Sequence, residues 1–255
     1  MTLRGIISGR PLPVLSPVGV SGFVRCIVTE RGLVVSDETY PNTQCNWGLY
    51  ACAAWYSGTA ANVSSSVGAV VPPGYIAVGT GTSADTPTVT DTNMFNEQYG
   101  SRRAFTFRTV YNGYTAQMSL SYLATDPDGT YTEAGLWDQL PVTVNLSGAV
   151  VQGATSLPLA SGAPAVNGGT TPGQFTTIYV DDGANSEYVA IAVPASAGAA
   201  SWSLQSGLQY GHASGTPVVA FVGNLFAHSA INVTKGYGQQ LTVQWSIPFQ
   251  AGTPS

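Results

Sequence analysis

The sequence predicts an all-β protein, with a β-sandwich or jelly-roll-like main domain, an inserted small β-domain and one short helix. Three observations predict this class. Short apolar runs recur along the chain and are separated by turns rich in glycine, proline and serine. Charged residues make up only 8% of the 255 residues, too few for long charged helices. The hydrophobic fraction of 44% is still large enough for a packed core, which excludes a disordered chain.

Residues 1–31 are predicted to form an extended N-terminal arm. Proline is excluded from helix interiors and central strands, and the arm contains several prolines. The arm is also rich in apolar side chains, so we expect it to lie along a neighbouring molecule. Its candidate interaction residues are Arg4, Arg10, Pro11 and Pro13.

Residues 32–140 together with 223–255 are predicted to form the main β-domain. Its first hairpin begins at the end of the arm, where apolar runs at 24–28 and 33–35 flank a turn near Gly32. This turn predicts that the two runs pair as antiparallel strands.

A second hairpin is predicted from Asn112-Gly113, a dipeptide that favours tight turns between paired strands. Alternating patterns at 103–111 and 115–123 flank this turn. The last strand of the domain, 241–247, has apolar residues at every second position and is therefore expected to bury one face.

The short helix is predicted at Thr92–Tyr99, because Asp91 is a good N-cap residue. Residues 40–57 form an aromatic cluster that includes Trp55 and Tyr56. Such clusters usually belong to a core or an interface, and a platform for stacking carbohydrate is the alternative.

Residues 141–222 are predicted to form the inserted β-domain. Short strands alternate there with stretches of glycine, alanine, serine and proline, a spacing typical of small sandwiches or barrels. Trp202 and Tyr210 are its candidate interaction residues, as rings that stack on a sugar.

The charge balance argues against a nucleic-acid partner, because eight basic residues face thirteen acidic ones. Arg102 and Arg103 belong to a small basic group that we expect to meet an acidic partner. The N-terminus lacks the apolar core of a secretory signal, and no run of about 18 apolar residues predicts a membrane-spanning helix.

Catalytic and metal-binding patterns are weak. Neither His212 nor His228 lies near a nucleophile motif, and nothing in the sequence pairs the acidic residues across a cleft. We therefore expect no enzyme, cofactor or metal. A calcium loop at Asp126, Asp128 and Glu133 is the alternative to a plain turn.

The cysteines are Cys26, Cys45 and Cys52, an odd number that matches no disulfide framework or zinc spacing. We expect buried thiols formed in a reducing cytosol, and a bridge between Cys45 and Cys52 is the alternative.

Three regions together resemble tailed-bacteriophage virion structural proteins. They are YIAVGTGT (75–82), TEAGLW (132–137), and NVTK with LTVQWSI (232–235 and 241–247). The family has these segments in this order, and its members are small all-β subunits of capsids and tails. The part between 139 and 221 interrupts the family pattern and is similar to β-modules of phage and surface proteins.

The resemblance implies a non-enzymatic virion subunit, assembled in the host cytoplasm, that forms a homo-oligomer and docks on other virion proteins. A tail-associated or fibre-like role is the main expectation. Capsid decoration, and a receptor-binding or carbohydrate-binding module that meets a host surface glycan, are the alternatives. The resemblance implies no catalytic residues.

Overall fold

The structure is a computed structural model that describes residues 6–7, 10–11, 22–56, 72–81, 86–111 and 115–248. Of the described residues, 51% are in strand conformation and 5% in helix, which confirms the predicted all-β class.

The strands, in chain order, are β1 (Ile6–Ile7), β2 (Arg10–Pro11), β3 (Gly22–Glu30), β4 (Leu33–Gln44), β5 (Tyr75–Gly79), β6 (Arg103–Ala104), β7 (Phe107–Tyr111), β8 (Thr115–Tyr122), β9 (Gly129–Trp137), β10 (Val142–Asn145), β11 (Ser156–Pro158), β12 (Thr177–Val180), β13 (Glu187–Ala190), β14 (Ser201–Ser203), β15 (Pro217–Ala220), β16 (Leu225–Lys235) and β17 (Gln239–Pro248). Helix α1 spans Asn46–Tyr56, and a single 3-10 turn spans Gly183–Asn185.

Nine strands form one antiparallel sheet in the order β6-β5-β9-β16-β4-β3-β17-β8-β7. The sheet is strongly curled, and side chains from both of its ends meet in one core. Ile76 of β5, Val24 of β3 and Trp245 of β17 are all fully buried in this core. Because the sheet curls, its own strands cover its inner face, as a second sheet does in a β-sandwich.

Two predicted hairpins are confirmed as strand pairs. The turn between β3 and β4 consists of Arg31 and Gly32, which both have positive φ angles of 50° and 81°. β7 pairs with β8, while the predicted turn at 112–113 lies outside the described residues. The alternation in the last strand is also confirmed, since Leu241, Val243, Trp245 and Ile247 are buried.

The predicted helix at Thr92–Tyr99 is wrong, because this segment forms an irregular loop. Asp91 does not cap a helix and instead accepts hydrogen bonds from the backbone and hydroxyl of Thr88. The backbone N–H groups of Phe95 and Asn96 bind the carboxylate of Glu133. These long-range partners satisfy the donors that a helix would otherwise use.

The α-helix instead lies at Asn46–Tyr56, within the predicted aromatic cluster. It packs against β16 through Gly48, Ala51 and Cys52, which are buried. A Cβ atom at Gly48 would collide with the backbone carbonyl oxygen of Phe226 in β16, so only glycine permits this close contact.

The beginning of the main sheet corrects the predicted extent of the arm. β3 begins at Gly22 and lies between β4 and β17, so residues 22–30 belong to the sheet interior. Before Gly22, the described residues form only the β1–β2 pair, and Arg4 and Pro13 lie outside the described residues.

A second hydrophobic core lies within residues 142–222. β10, β15, β12 and β13 form a four-stranded sheet, β11 pairs with β14, and none of these strands joins the nine-stranded sheet. Trp202 and Leu157 are fully buried in this core. Whether 141–222 folds as an independent domain stays a prediction, because a separate core does not establish independent stability.

Candidate functional site: an open sheet edge and two histidine clusters

The nine-stranded sheet ends at β6 and β7. β6 has only two residues, whereas β7 has five and, among the described strands, pairs only with β8. Phe107 and Val110 of β7 are 53% and 66% exposed. An open strand edge with exposed apolar side chains is a template for pairing with another chain.

An apolar groove of 370 Å³ lies beside this edge. Its walls come from β7, β8, β16 and β17 and from the segments that precede β5 and β7. Among the lining residues are Pro72, Phe105, Val110, Met118 and Ile247. The groove and the open edge together form one apolar surface, which we call the β7 surface.

A second exposed apolar group lies at the far end of the β3–β4 hairpin. Leu33 is 73% exposed, and Tyr237 in the turn between β16 and β17 is 93% exposed. The two turns are neighbours because Gln239 pairs with Glu30 across β17 and β3. Neither Leu33 nor Tyr237 lines the groove of the β7 surface.

Glu133, in the TEAGLW segment of β9, contacts the YIAVGTGT segment and the 86–102 loop. Its carboxylate accepts the backbone N–H of Gly81 at 3.1 Å, and those of Phe95 and Asn96 at 2.8 and 2.6 Å. A Cβ atom at Gly79 or Gly81 would come within 2.5 or 2.9 Å of Glu133 Oε1. The glycines of YIAVGTGT are therefore needed to admit the glutamate of TEAGLW.

His228 of β16 lies between Glu133 and Asp91. Its Nε2 is 2.9 Å from Glu133 Oε2 and its Nδ1 is 2.8 Å from Asp91 Oδ2, and all three side chains are buried. Burial alone would lower the pKa of His228, but the hydrogen bonds to Asp91 and Glu133 outweigh burial and raise this pKa. Burial likewise opposes ionisation of Asp91, yet bonds from His228 and Thr88 lower its pKa.

His212 has the same arrangement in the second core. Its Nδ1 is 3.0 Å from Asp182 Oδ2, and its Nε2 is 2.9 Å from Glu187 Oε1. Glu187 also accepts the backbone N–H groups of Gln209 and Tyr210 at 2.7 and 3.1 Å. Each histidine thus fixes a loop against a strand, with an aspartate on Nδ1 and a glutamate on Nε2.

These contacts leave the described groups poorly suited to nucleophilic catalysis. Every ring nitrogen of the two histidines faces a carboxylate, so none is directed at a serine, threonine or cysteine. All three cysteines are unpaired and buried. Burial, with the charge of Glu38, raises the pKa of Cys26 to about 12, which suppresses the reactive thiolate.

Arg102 corrects the expectation of a basic surface group. Its side chain is 1% exposed and forms an ion pair with Glu97 at 2.6 Å. Its guanidinium lies 3.6 Å from the ring centroid of Trp137, and Nη1 donates to the carbonyl oxygens of Gln139 and Val222. Arg102 therefore stabilises the junction between the two cores and is not available to a partner.

Arg103 is partly exposed and donates to both carboxylate oxygens of Asp126 at 2.8 Å. Lys235 is buried and binds Asp128 Oδ1 at 2.8 Å. The calcium alternative is not supported, because Asp126, Asp128 and Glu133 each bind a different side chain. Among the described residues, no cluster of three or more potential metal ligands is present.

The aromatic residues predicted to stack on a sugar differ in their exposure. Trp202 is fully buried, which excludes it as an exposed sugar platform, whereas Tyr210 is 39% exposed. Trp55 and Tyr56 lie in the last turn of α1, and their side chains are outside the described part. For Arg10 and Pro11 only the backbone, in β2, is described.

An aromatic stack that the sequence did not predict connects the 86–102 loop to the second core. The Tyr99 and Tyr179 rings stack at 4.4 Å between centroids, and Tyr179 packs against Tyr188 at 4.9 Å. The Tyr188 hydroxyl accepts the backbone N–H of Tyr99 at 2.7 Å. Tyr99 is 80 or more residues from both of its partners, so no local pattern predicts these contacts.

Comparison with known proteins adds no family assignment. No protein-family model matches the chain, and a search of the curated proteins finds no significant relative. Within the described ranges, no helix has the length and apolar character needed to cross a membrane.

Proposed function

We propose that this protein is a non-enzymatic structural subunit of a tailed-phage virion. It is tail-associated or fibre-like, self-assembles through the β7 surface and docks on other virion proteins. It is assembled in the host cytoplasm and resides in the virion.

The sequence resemblance supports the assignment to a phage virion. The resembling segments also contact one another in the fold, which is a physical reason for their occurrence together. Gly81 of the first segment binds Glu133 of the second, and β5 pairs directly with β9. The third region provides Lys235, which holds the turn before β9, and most of β17 in the sheet interior. The resembling segments therefore act as one framework.

The observation that carries the assembly part is the open edge of β7. Isolated proteins usually protect such edges with charge, proline or a cover. β7 has one charged residue, Arg108, while Phe107 and Val110 are exposed and an apolar groove lies beside the strand. Pairing of β7 with a second copy satisfies its backbone groups and removes this apolar area from water.

Light scattering after size-exclusion chromatography tests this assembly. We expect the wild-type protein to be oligomeric and Val110→Lys to be monomeric, because lysine places a charge in the interface. Val193→Lys is the matched control, since Val193 is 57% exposed and lies far from β7 in the chain. A monomeric wild type, or an unchanged oligomer in Val110→Lys, would overturn the proposal.

The alternatives within the virion are capsid decoration and a receptor-binding or carbohydrate-binding module. The copy number in purified particles distinguishes them from the proposed role. Labelling and quantitative mass spectrometry should find a small number of copies at the tail. Hundreds of copies on the head would favour decoration, and absence from the particles would contradict the phage assignment.

A further inference from the structure

A polar cleft of 300 Å³ lies where the chain passes between its two cores. One wall contains Gln139 and residues 222–224, which lie where the chain enters and leaves the second core. The other walls come from Asn93 in the 86–102 loop and from residues of the second core near 164–167 and 176.

The chemistry of this lining is uniform. The polar residues of the lining are four amides and one hydroxyl, from Asn93, Gln139, Asn167, Asn224 and Thr176. Asn93 and Thr176 are buried and Asn224 binds Asp138, so Gln139 and Asn167 present the accessible amides. Among its described lining residues, none is charged and none is aromatic. The apolar contribution is limited to Pro164, Ala165 and Val222.

The surroundings hold these walls in place. Asn224 donates its backbone N–H and its Nδ2 to the carboxylate of Asp138, at 2.8 and 2.6 Å. The buried Arg102 fixes the carbonyl oxygens of Gln139 and Val222. The side-chain amide of Gln139 makes no hydrogen bond within the described chain and is exposed at the cleft.

We propose that this cleft binds a neutral saccharide. An amide offers a donor and an acceptor together, which is the complement of a sugar hydroxyl group. The uncharged lining disfavours an anion or cation, and the small apolar patch suits the C–H face of a sugar ring. Small-ligand pockets begin at about 300 Å³, so the cleft accommodates one or two sugar residues.

The proposal differs from the sugar-stacking site predicted from the aromatic residues. It involves hydrogen bonds from amides and not ring stacking, so we expect affinity in the millimolar range. It also does not rest on the proposed assembly, because no residue of the β7 surface lines the cleft.

Saturation-transfer NMR on the full chain tests the site, with glucose, galactose and N-acetylglucosamine as probes and glucuronate as the charged comparison. We expect at least one neutral sugar to bind and glucuronate to bind more weakly. Gln139→Ala and Asn167→Ala should each weaken binding about fivefold, the effect of losing one hydrogen bond. Both residues are exposed, so the variants should remain folded.

Gln152→Ala is the matched control, because Gln152 is an exposed glutamine outside the cleft, and its binding should equal that of the wild type. The proposal is overturned if none of the three neutral sugars binds. It is also overturned if Gln139→Ala and Asn167→Ala bind like Gln152→Ala, or if glucuronate binds as well as the neutral sugars.

Discussion

Glu133 binds three backbone N–H groups and His228, while Asp91 holds the other ring nitrogen of the same histidine. A neutral imidazole has only one N–H donor, so two carboxylate acceptors favour the imidazolium form. The raised pKa of His228 agrees with this geometry. The cluster therefore acts as a buried cation between two anions that ties the 86–102 loop to β9 and β16.

We predict a defined pH window for the stabilising effect of this cluster. The folded pKa of His228 is raised, so its contribution is complete below the unfolded value of about 6.5 and is lost as pH rises through the folded pKa. The folded pKa of Asp91 is lowered, so its contribution is present above about 3.9 and is lost as pH falls through the folded pKa.

Urea unfolding of the wild type and His228→Gln across pH measures this effect. Between about pH 4 and pH 6.5 the variant should be less stable by about 3 kcal/mol, the typical cost of breaking a buried charged cluster. The difference should shrink as pH rises further. A difference that stays constant from acidic to alkaline pH would contradict a charged His228.

Both histidines are evident in the sequence, but no sequence pattern indicates what they bind. Their carboxylate partners could not be predicted, because Asp91 and Glu133 lie 137 and 95 positions from His228. The glycines of YIAVGTGT (75–82) are evident in the sequence. Their role in admitting Glu133 depends on the pairing of β5 with β9, which no local pattern reveals.

At the scale of elements, helix α1 depends on its contact with β16 more than on helix propensity. Its sequence is apolar on most sides, and Gly48 lies where the helix backbone approaches the Phe226 carbonyl. Glycine is normally unfavourable inside a helix by about 1 kcal/mol relative to alanine. Its presence at position 48 is explained by this close approach.

We therefore predict that Gly48→Ala destabilises the protein although it raises helix propensity. The added methyl group has no space against the β16 backbone, so we expect a loss of about 2 kcal/mol in the free energy of unfolding. Urea denaturation measures this loss. Gly74→Ala is the control, because no heavy atom lies within 4 Å of a Cβ there, and its effect should stay within about 0.5 kcal/mol. A stabilised Gly48→Ala would refute the close approach.

Strands with clear alternation were predictable and the helix was not. β17 and the β7–β8 pair follow from period-two patterns, because alternate residues of a strand face opposite sides. The 92–99 segment has a good N-cap residue, but distant acceptors take the N–H groups that a helix requires. Local propensity cannot anticipate such tertiary partners.

At the scale of the whole molecule, many of its few charged side chains are paired with one another. Arg25, Arg102, Arg103 and Lys235 each bind a carboxylate, and both histidines bind two. The β7 surface contains Arg108 as its only charged residue among those that line the groove. Assembly through this surface should therefore depend on apolar contact and strand pairing, and little on charge.

We predict that the oligomer resists salt. Raising the ionic strength from about 0.1 M to about 1 M shortens the screening length from about 10 Å to about 3 Å, which weakens interfaces held by exposed charges. The molar mass from light scattering should remain unchanged over this range. Dissociation into monomers at high salt would indicate an electrostatic interface instead.

Hydrogen–deuterium exchange of β7 tests the assembly claim most directly, because the backbone groups of Phe107–Tyr111 that face away from β8 are the proposed contact. The wild-type oligomer should protect the peptide that contains β7, and monomeric Val110→Lys should exchange faster in this peptide. Peptides from the second core should exchange equally in both proteins. Equal exchange of the β7 peptide in the oligomer and the monomer would contradict assembly through this edge.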